Sequence, residues 1–441
     1  MADKAAHQAA RQDVHPALKR EITLWQATLT GIGLILGAGI YALIGKASAL
    51  AGNGVWLSFA LSALVAIFTG LSYAELSSIF PKAGAEYVYS KHAFGRKLAF
   101  IIGWLVIISG FVFSATVAFG FAGYFEKLFG APYLLTAVVL IVLLSFLVFY
   151  GIKESVWFGV ISTLIEMTGL VIVIILGIPY LGRVDYFEFP SITGVFTAAA
   201  LVFFAYVGFE QISRLAEETK NPKVNIHRAT LISIAVTTII YVLVAISAVS
   251  ILDWSVLGAS NAPIADIASK ILGPQGFVVL SIIALFATSN TVLFMMVATA
   301  RMIYGVGKSF SHTSILARVH SKTRTPWVAT IITAVFSVVA LGFGKIDVVA
   351  NMTDFLIFVV FIVINAAAIK LRYTSEREAH HFKMPLNIGR FPLIPVFGIV
   401  SCVALMAHVN LDVMVYSVVT IAIGFAIAEI LERKGIEAKY E

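Results

Sequence analysis

Long apolar stretches separated by short polar ones dominate the chain. Nine stretches of 20 residues or more contain no Asp, Glu, Lys or Arg, and three others (155–178, 348–369 and 413–431) are each interrupted by a single acid. A helix that crosses a bilayer needs about 20 mostly apolar residues. The pattern therefore predicts twelve membrane-spanning helices, at 22–48, 54–80, 98–125, 131–152, 155–178, 192–213, 228–251, 276–306, 327–344, 348–370, 391–411 and 413–431.

Composition supports a membrane protein and excludes most soluble classes. Apolar residues make up 60% of the 441 positions and charged residues 12%, whereas a soluble domain carries about 25% charged residues. Twelve spans leave only tails and short loops, so we expect one membrane domain and no separate soluble enzyme domain. The single cysteine, Cys402, rules out an intrachain disulfide.

The positive charge is distributed unevenly between the two sides that the twelve spans define. If the N-terminus is cytoplasmic, 26 of the 31 Lys and Arg residues fall on the inner side, as the positive-inside rule requires. The excess of basic residues therefore indicates an orientation rather than a nucleic-acid partner. We expect cytoplasmic tails at 1–20 and 432–441, and a multi-pass protein of the cell membrane with the lipid bilayer as its surroundings.

Glycines are concentrated in the first and sixth predicted spans. Gly31, Gly33, Gly37 and Gly39 crowd the middle of span 1, and Gly194 and Gly208 flank the corresponding part of span 6. Gly-interrupted helices at matching places in two halves are typical of inverted-repeat transporters. Close packing of neighbouring helices is the alternative explanation for such glycines. A dinucleotide-binding fingerprint is excluded, because the run lies inside an uncharged span without a preceding strand.

Among the acids within predicted spans, three are candidates for function, because a carboxyl group there is costly and often functional. Glu166 lies near the middle of span 5, Glu210 follows Gly208 at the end of span 6, and Asp354 lies about six residues inside the outer end of span 10. The alternatives are a neutral, hydrogen-bonded Glu166, a satisfied acid at a helix end for Glu210, and a carboxylate that reaches the interface for Asp354. For Glu75 and Glu86 we expect salt bridges to inner Lys or Arg residues.

Two further features concern the loops. The histidines at 92, 227, 380 and 381 show no paired metal-ligand spacing, so we predict no metal site there. The outer loop 252–275 contains short helical patterns such as APIADIASKIL, which we interpret as a possible lid over the bundle.

Several spaced motifs together resemble the amino acid–polyamine–organocation (APC) transporter family. They are GIGLILGAGIY in span 1, YAELSSIFPKAGAEYVYSKHAFG after span 2, GIKES before span 5, FFAYVGFE with EETKNPK behind it, and ATARMIYGVGK in span 8. The resemblance extends over about residues 20–430. It implies an all-α integral membrane protein of twelve helices with a LeuT-type five-plus-five inverted repeat and broken helices 1 and 6. The corresponding division is a ten-helix core at 21–371, with repeats at 21–179 and 190–371, followed by helices 11 and 12 at 372–431.

The resemblance also implies which residues bind substrate. In span 1 it assigns the α-carboxylate and part of the ammonium group of an amino acid to the backbone of Ile35, Gly37, Ala38, Gly39 and Ile40. In span 6 it assigns the ammonium to carbonyls of Phe204, Ala205, Val207 and Gly208, with Phe204 as an aromatic gate and Glu210 as part of the inner gate. Opposite partial charges at two helix breaks suit a zwitterion.

The chain departs from the family pattern at three positions. Some members carry a lysine in span 5 where sodium-coupled relatives bind a cation, and Glu166 occupies that place here. The matching neighbours are Gly33 and Leu36, through carbonyls, and Thr288 and Ser289, through hydroxyls. A carboxylate there is able to carry H⁺ or bind Na⁺, so both stay open. His227 stands where proline is usual, and Asp354 where a small or neutral residue is common.

From these features we expect a secondary transporter of α-amino acids, proton-coupled or exchanging, that uses no cofactor and prefers a neutral substrate. The rivals are a cationic amino acid or polyamine exchanger with Glu210 as counter-charge, and a sensor that binds an amino acid without moving it. A channel is disfavoured because no continuous polar stripe runs along the spans. An enzyme is disfavoured because no nucleophile and base occur at one depth.

Overall fold

The computed structural model describes residues 18–260, 262–310, 315–343, 346–374, 382–409 and 411–433. The tails expected at 1–20 and 432–441 therefore lie almost wholly outside the described residues. In the described part, sixteen α-helices and one two-stranded antiparallel hairpin follow one another. They are α1 Leu24–Ala51, α2 Val55–Ile79, α3 Ala85–Phe94, α4 Arg96–Phe129, α5 Tyr133–Tyr150, α6 Ile152–Gly177, α7 Ile192–Val202, α8 Gln211–Arg214, α9 Pro222–Ile251, α10 Trp254–Ala259, α11 Pro263–Leu272, α12 Pro274–Phe310, α13 Trp327–Ala340, α14 Ile346–Thr374, β1 Asn387–Ile388, β2 Phe391–Pro392, α15 Leu393–Met406 and α16 Leu411–Arg433.

Each of the twelve predicted spans overlaps one of these helices. Nine stretches of the described residues are long and apolar enough to cross a bilayer. Three further apolar helical segments are shorter, at Ile192–Ala205, Trp327–Ala340 and Leu393–Met406. The protein is therefore a largely helical, multi-pass membrane protein.

The first helix is long but discontinuous. It begins with a capping box, in which the Thr23 hydroxyl accepts from the Gln26 backbone N–H and the Gln26 side chain accepts from the Thr23 N–H at 2.9 Å. At Gly37 the backbone angles (φ −29°, ψ −139°) leave the helical range. Two helical halves therefore meet at Gly37, in the middle of the segment, and the local i→i−4 hydrogen bonding is interrupted there.

The segment that follows Ser191 is broken more extensively. The helix α7 ends at Val202, one 3₁₀ turn covers Phe203–Ala205, and turns continue to the short α8. Gly208 has a φ of +139°, a conformation that costs a residue with a Cβ appreciable strain. The glycine thus permits the non-helical backbone between α7 and α8 inside the apolar bundle.

The broken α1 lies at the centre of the bundle. It packs against α6, α7, α9, α10 and α12, and most of its described side chains are buried on all sides. A helix that is apolar all round and buried is typical of a core position. The break at Gly37 is therefore enclosed by protein rather than facing lipid, and irregular backbone at membrane depth is not tolerated where it faces lipid.

One end of the bundle, here called the basic end, is held together by buried ion pairs. Arg214 in α8 pairs with Glu86 in α3 at 2.7 Å, and both side chains are at most 1% exposed. Arg301 in α12 pairs with Glu218 at 2.9 Å with the same burial. The two pairs connect the segment after the α7 break to α3 and α12.

A third pair at the basic end anchors the hairpin between α14 and α15. Arg372 contacts Glu75 at the end of α2 at 2.5 Å, and the same carboxylate accepts the Met384 backbone N–H at 2.8 Å. Asn387 of β1 also accepts from Arg372. The pairs of Glu75 and Glu86 confirm the salt bridges that we predicted for these two acids.

The opposite end is covered by α10 and α11, which form the middle of the 252–275 loop. A Cβ added at Gly258 of α10 would come within 2.7 Å of the Ala49 side chain, and one at Gly45 would collide with the Leu257 carbonyl. The predicted helical patches are thus present, and α10 lies directly on the second half of α1.

The ion pair between Arg301 and Glu218 offers a test of the basic end. Arg301→Met leaves a buried, unpaired carboxylate, which costs about 3–5 kcal/mol, so we expect a clear fall in the melting temperature of the detergent-solubilised protein. The double variant Arg301→Met with Glu218→Leu should recover most of that loss, because neither charge remains buried.

Lys97 and Glu429 provide the control, since they form a 2.6 Å pair with both side chains more than 40% exposed. Lys97→Met should cost less than about 1 kcal/mol. Equal melting temperatures for Arg301→Met and Lys97→Met would contradict a structural role for the buried pair.

Candidate functional site

The two helix breaks lie against each other. A Cβ at Gly39 would collide with the backbone Cα of Ala205, and a Cβ at Gly208 would come within 2.9 Å of the Leu34 carbonyl oxygen. Both contacts involve backbone, which has little freedom to move away. The structure therefore brings the predicted residues of spans 1 and 6 together in one place, with only glycine fitting at each contact.

A tyrosine from α9 connects the two breaks. The Tyr241 hydroxyl donates to the Ala205 carbonyl at 2.9 Å and lies within hydrogen-bond range of the Ile35 carbonyl. One hydroxyl has one proton, so the two carbonyls share a single donor and retain capacity for another. Sequence reasoning missed Tyr241. A lone tyrosine within the apolar span 228–251 was the available signal, since a buried tyrosine hydroxyl usually finds a partner.

The walls around the breaks are apolar and closed. The side chains of Ile35, Ile40, Ala205 and Val207 are at most 1% exposed, and Phe204 is 4% exposed. The Phe204 ring stacks on Phe113 of α4 with 4.5 Å between ring centroids. The side chain of Ala38 lies outside the described part of the structure. The Phe204 ring thus fills the space between span 6 and α4.

A polar cluster lies beside α1 on its α6 side. Asn290 of α12 donates to the Thr163 hydroxyl at 3.0 Å and to a carboxylate oxygen of Glu166 at 3.4 Å. A Cβ at Gly33 would collide with both Thr163 and Asn290. Glu166 is fully buried, and its second carboxyl oxygen, Oε1, has no hydrogen-bond partner among the described residues. The cluster therefore leaves one carboxyl oxygen available beside α1.

The other residues predicted for this cluster have different contacts. The hydroxyls of Thr288 and Ser289 donate to carbonyls of their own helix, α12, and Leu36 is fully buried. The neighbouring Thr291 instead meets the break, since a Cβ at Gly37 would collide with its hydroxyl. The polar side chains that meet Glu166 and Gly37 thus come from positions 290 and 291. The sequence did not predict these two residues, because it does not fix the rotation of α12 about its own axis.

Glu210 is held by its own loop. One carboxyl oxygen accepts the Gly208 backbone N–H at 2.9 Å, and the other accepts from the Gln211 side chain at 2.7 Å. The carboxylate is fully buried between the span 6 break and the Arg214–Glu86 pair. Both oxygens are therefore engaged in stabilising the turn, which agrees with the satisfied-acid alternative.

A cavity of about 330 Å³ lies near the opposite end, between the second half of α1, α4 and the start of α5. Its walls include Leu43, Phe119, Tyr124 and Tyr133. None of the predicted substrate or coupling residues lines this cavity.

The chemistry available at the breaks is hydrogen bonding by backbone groups. In the described residues no group of three or more His, Cys, Asp or Glu side chains is placed to hold a metal ion. Interrupted helices expose N–H groups with positive partial charge and carbonyls with negative partial charge. Such a site suits a small ligand that carries a positive and a negative group close together.

Comparison with known proteins agrees with this arrangement. Residues 22–427 match the family model described as "Amino acid permease". The branched-chain amino acid permease BcaP of Bacillus subtilis (strain 168) is 30% identical over 95% of this chain and 94% of its own length. The methylthioribose transporter of the same organism is 28% identical over 96% of this chain and 95% of its own length.

A plant protein, the chloroplastic cationic amino acid transporter 7 of Arabidopsis thaliana, is 29% identical over 81% of this chain and 66% of its own length. The relatives thus differ in the substrates that their names give, while the family match covers nearly all of the described bundle. The chain belongs to the amino acid permease family of membrane transporters and is not an enzyme.

Proposed function

We propose that this permease is a secondary active transporter that moves α-amino acids across the cell membrane by alternating access. The observation that carries the proposal is the contact between the two breaks, with Gly39 against Ala205 and Gly208 against Leu34. Transporters with discontinuous helices place their substrate at such breaks near the middle of the bilayer. The α-carboxylate then faces backbone N–H groups at residues 37–40, and the ammonium faces the carbonyls of Ile35 and Ala205.

The same arrangement supports the proposed architecture. Twelve helices cross the membrane, and the first ten form two inverted five-helix repeats at 21–179 and 190–371, each beginning with a broken helix. Helices at 372–431 pack on the outside of this core. The termini lie in the cytoplasm, so that the basic end is the inner end, in line with the distribution of Lys and Arg.

Glu166 is the proposed coupling residue. It is fully buried, its hydrogen-bond partner Asn290 lies against Gly33, and its second carboxyl oxygen has no partner among the described residues. A carboxyl group in such a place is stable only when it is protonated or paired with a cation. We propose that the coupling ion is H⁺, with Na⁺ as the alternative, and that Asn290 and Thr163 hold the carboxyl group against α1.

The transporter is proposed to prefer amino acids with a neutral side chain. The walls next to the breaks are Ile35, Ile40, Phe204 and Val207, all apolar and buried. Glu210 is a poor counter-charge for a cationic substrate, because both of its oxygens are already engaged. The relative named as a branched-chain amino acid permease fits this preference. A sensor that binds without transport remains the alternative from another class, and an uptake assay separates the two.

The contact at Gly39 generates a direct test of the site. Gly39→Ala forces a Cβ into the Ala205 backbone, and overpacking of this kind costs about 1–3 kcal/mol. We expect uptake of labelled leucine into proteoliposomes to fall by about tenfold or more, while the purified variant stays monodisperse.

Gly342→Ala is the matched control, because Gly342 is exposed and a Cβ there meets nothing within 4 Å. Its uptake should equal that of the wild type. Full activity of Gly39→Ala would contradict a substrate site at the apposed breaks.

Glu166→Gln tests the coupling. With one proton moved per substrate, an inward gradient of one pH unit supports about a tenfold accumulation of leucine. In Na⁺-free buffer we expect this accumulation in the wild type and its loss in Glu166→Gln, because the amide cannot bind and release a proton. Exchange of internal for external leucine without a gradient should persist in the variant.

Glu154→Gln is the control, since Glu154 is an exposed acid in the first turn of the same helix. It should accumulate leucine like the wild type. Unchanged gradient-driven accumulation in Glu166→Gln would exclude Glu166 as the coupling group, and uptake that requires Na⁺ at constant pH would exclude the proton.

A further inference from the structure

Asp354 of α14 is a buried acid that the proposed transport cycle does not use. Its side chain is 1% exposed, so it does not reach the interface as one sequence interpretation allowed. Neither carboxyl oxygen has a hydrogen-bond partner among the described residues. The group therefore lacks hydrogen bonds to the described residues whether it is protonated or ionised. Burial without hydrogen bonds costs more free energy for the ionised form than for the neutral one.

The position of Asp354 on α14 points toward the helix breaks. Phe358 packs on Phe203 of the span 6 break with 4.6 Å between ring centroids, and Phe361 packs on Phe203 and Phe209. Residues three or four apart share one face of a helix. Asp354 therefore lies on the face of α14 that carries Phe358 and Phe361, about 6 Å further along the axis.

This position is on the side of the breaks away from the basic end. Arg372, which pairs with Glu75 at the basic end, follows Asp354 on the same helix by about 27 Å. A substrate whose α-carbon lies at the breaks and whose side chain extends toward the opposite end would thus bring that side chain toward Asp354. The rise of about 6 Å along α14 from Phe358, which packs on the span 6 break, to Asp354 is comparable to the length of the four-carbon stem of lysine.

The described part of the protein offers Asp354 no positive partner. No lysine, arginine or histidine there is hydrogen-bonded or ion-paired with it. Glu210, the other acid near the span 6 break, already has partners for both oxygens. A cation that arrives with the substrate is therefore the partner that Asp354 lacks, and charge-assisted hydrogen bonds would compensate its burial.

We propose that Asp354 is a specificity-determining residue that binds the ammonium or guanidinium group of a basic amino acid side chain. The permease would then accept lysine or arginine in addition to neutral amino acids. The inference rests on the proposed substrate site at the breaks, since only a substrate bound there extends toward α14.

The test is competition in proteoliposomes that contain the full-length protein. Uptake of labelled leucine is measured with increasing unlabelled arginine or unlabelled leucine, for the wild type, Asp354→Asn, Asp354→Glu and the control Asp185→Asn. Asp185 is an exposed acid in the loop after α6, so its variant removes a charge without touching the core.

We expect Asp354→Asn to raise the arginine concentration for half-inhibition by about tenfold or more, with the value for leucine unchanged within about twofold. Asp354→Glu should retain part of the arginine sensitivity, and Asp185→Asn should behave like the wild type. If Asp354→Asn takes up too little leucine to measure, the melting temperature of the purified variant is measured with and without arginine or leucine. Leucine should still raise the melting temperature of the variant, and arginine should no longer do so.

Three results would overturn the inference: no inhibition of the wild type by arginine, an equal loss of both ligands in Asp354→Asn, or a changed pH dependence with unchanged selectivity. A wild type that takes up no amino acid at all would instead contradict the proposed function.

Discussion

The structure depends on one constraint, which is that backbone polar groups inside an apolar bundle must find partners. Each unsatisfied N–H or C=O costs several kcal/mol where water is absent. The breaks at Gly37 and at residues 203–210 free such groups in the interior. The two breaks are stable there because protein surrounds them, because glycine permits the close contacts, and because donors such as the Tyr241 hydroxyl bind the freed carbonyls.

The same constraint connects structure to proposed function. The described residues supply only part of the hydrogen bonding, because one tyrosine proton serves two carbonyls and one oxygen of Glu166 has no partner among them. Incompletely satisfied groups at mid-depth favour a ligand that brings hydrogen bonds and charge. At the basic end, buried Arg–Glu pairs connect the segment after the span 6 break to α3 and α12. Any opening of the bundle at this end must therefore either break these ion pairs or move the paired elements as one unit.

Much of this architecture was predictable from the sequence, because apolar run length and glycine spacing are local properties. The helices and the two breaks follow from them, and the salt bridges of Glu75 and Glu86 follow from acids that lie close to a loop on the basic side. The partners across the bundle do not, since they depend on helix rotation. Asn290 and Thr291, rather than the hydroxyls of Thr288 and Ser289, contact the polar groups around Glu166 and Gly37. Tyr241 and the isolation of Asp354 likewise become visible only when neighbouring helices are in place.

A structure of the protein determined with bound leucine would show directly whether the substrate lies between the two helix breaks. We expect ligand density between residues 35–40 and 204–208, with the carboxylate toward the backbone N–H groups of α1 and the ammonium toward the carbonyls of Ile35 and Ala205. Leucine located instead in the cavity lined by Leu43, Phe119 and Tyr133, with both breaks unoccupied, would contradict it.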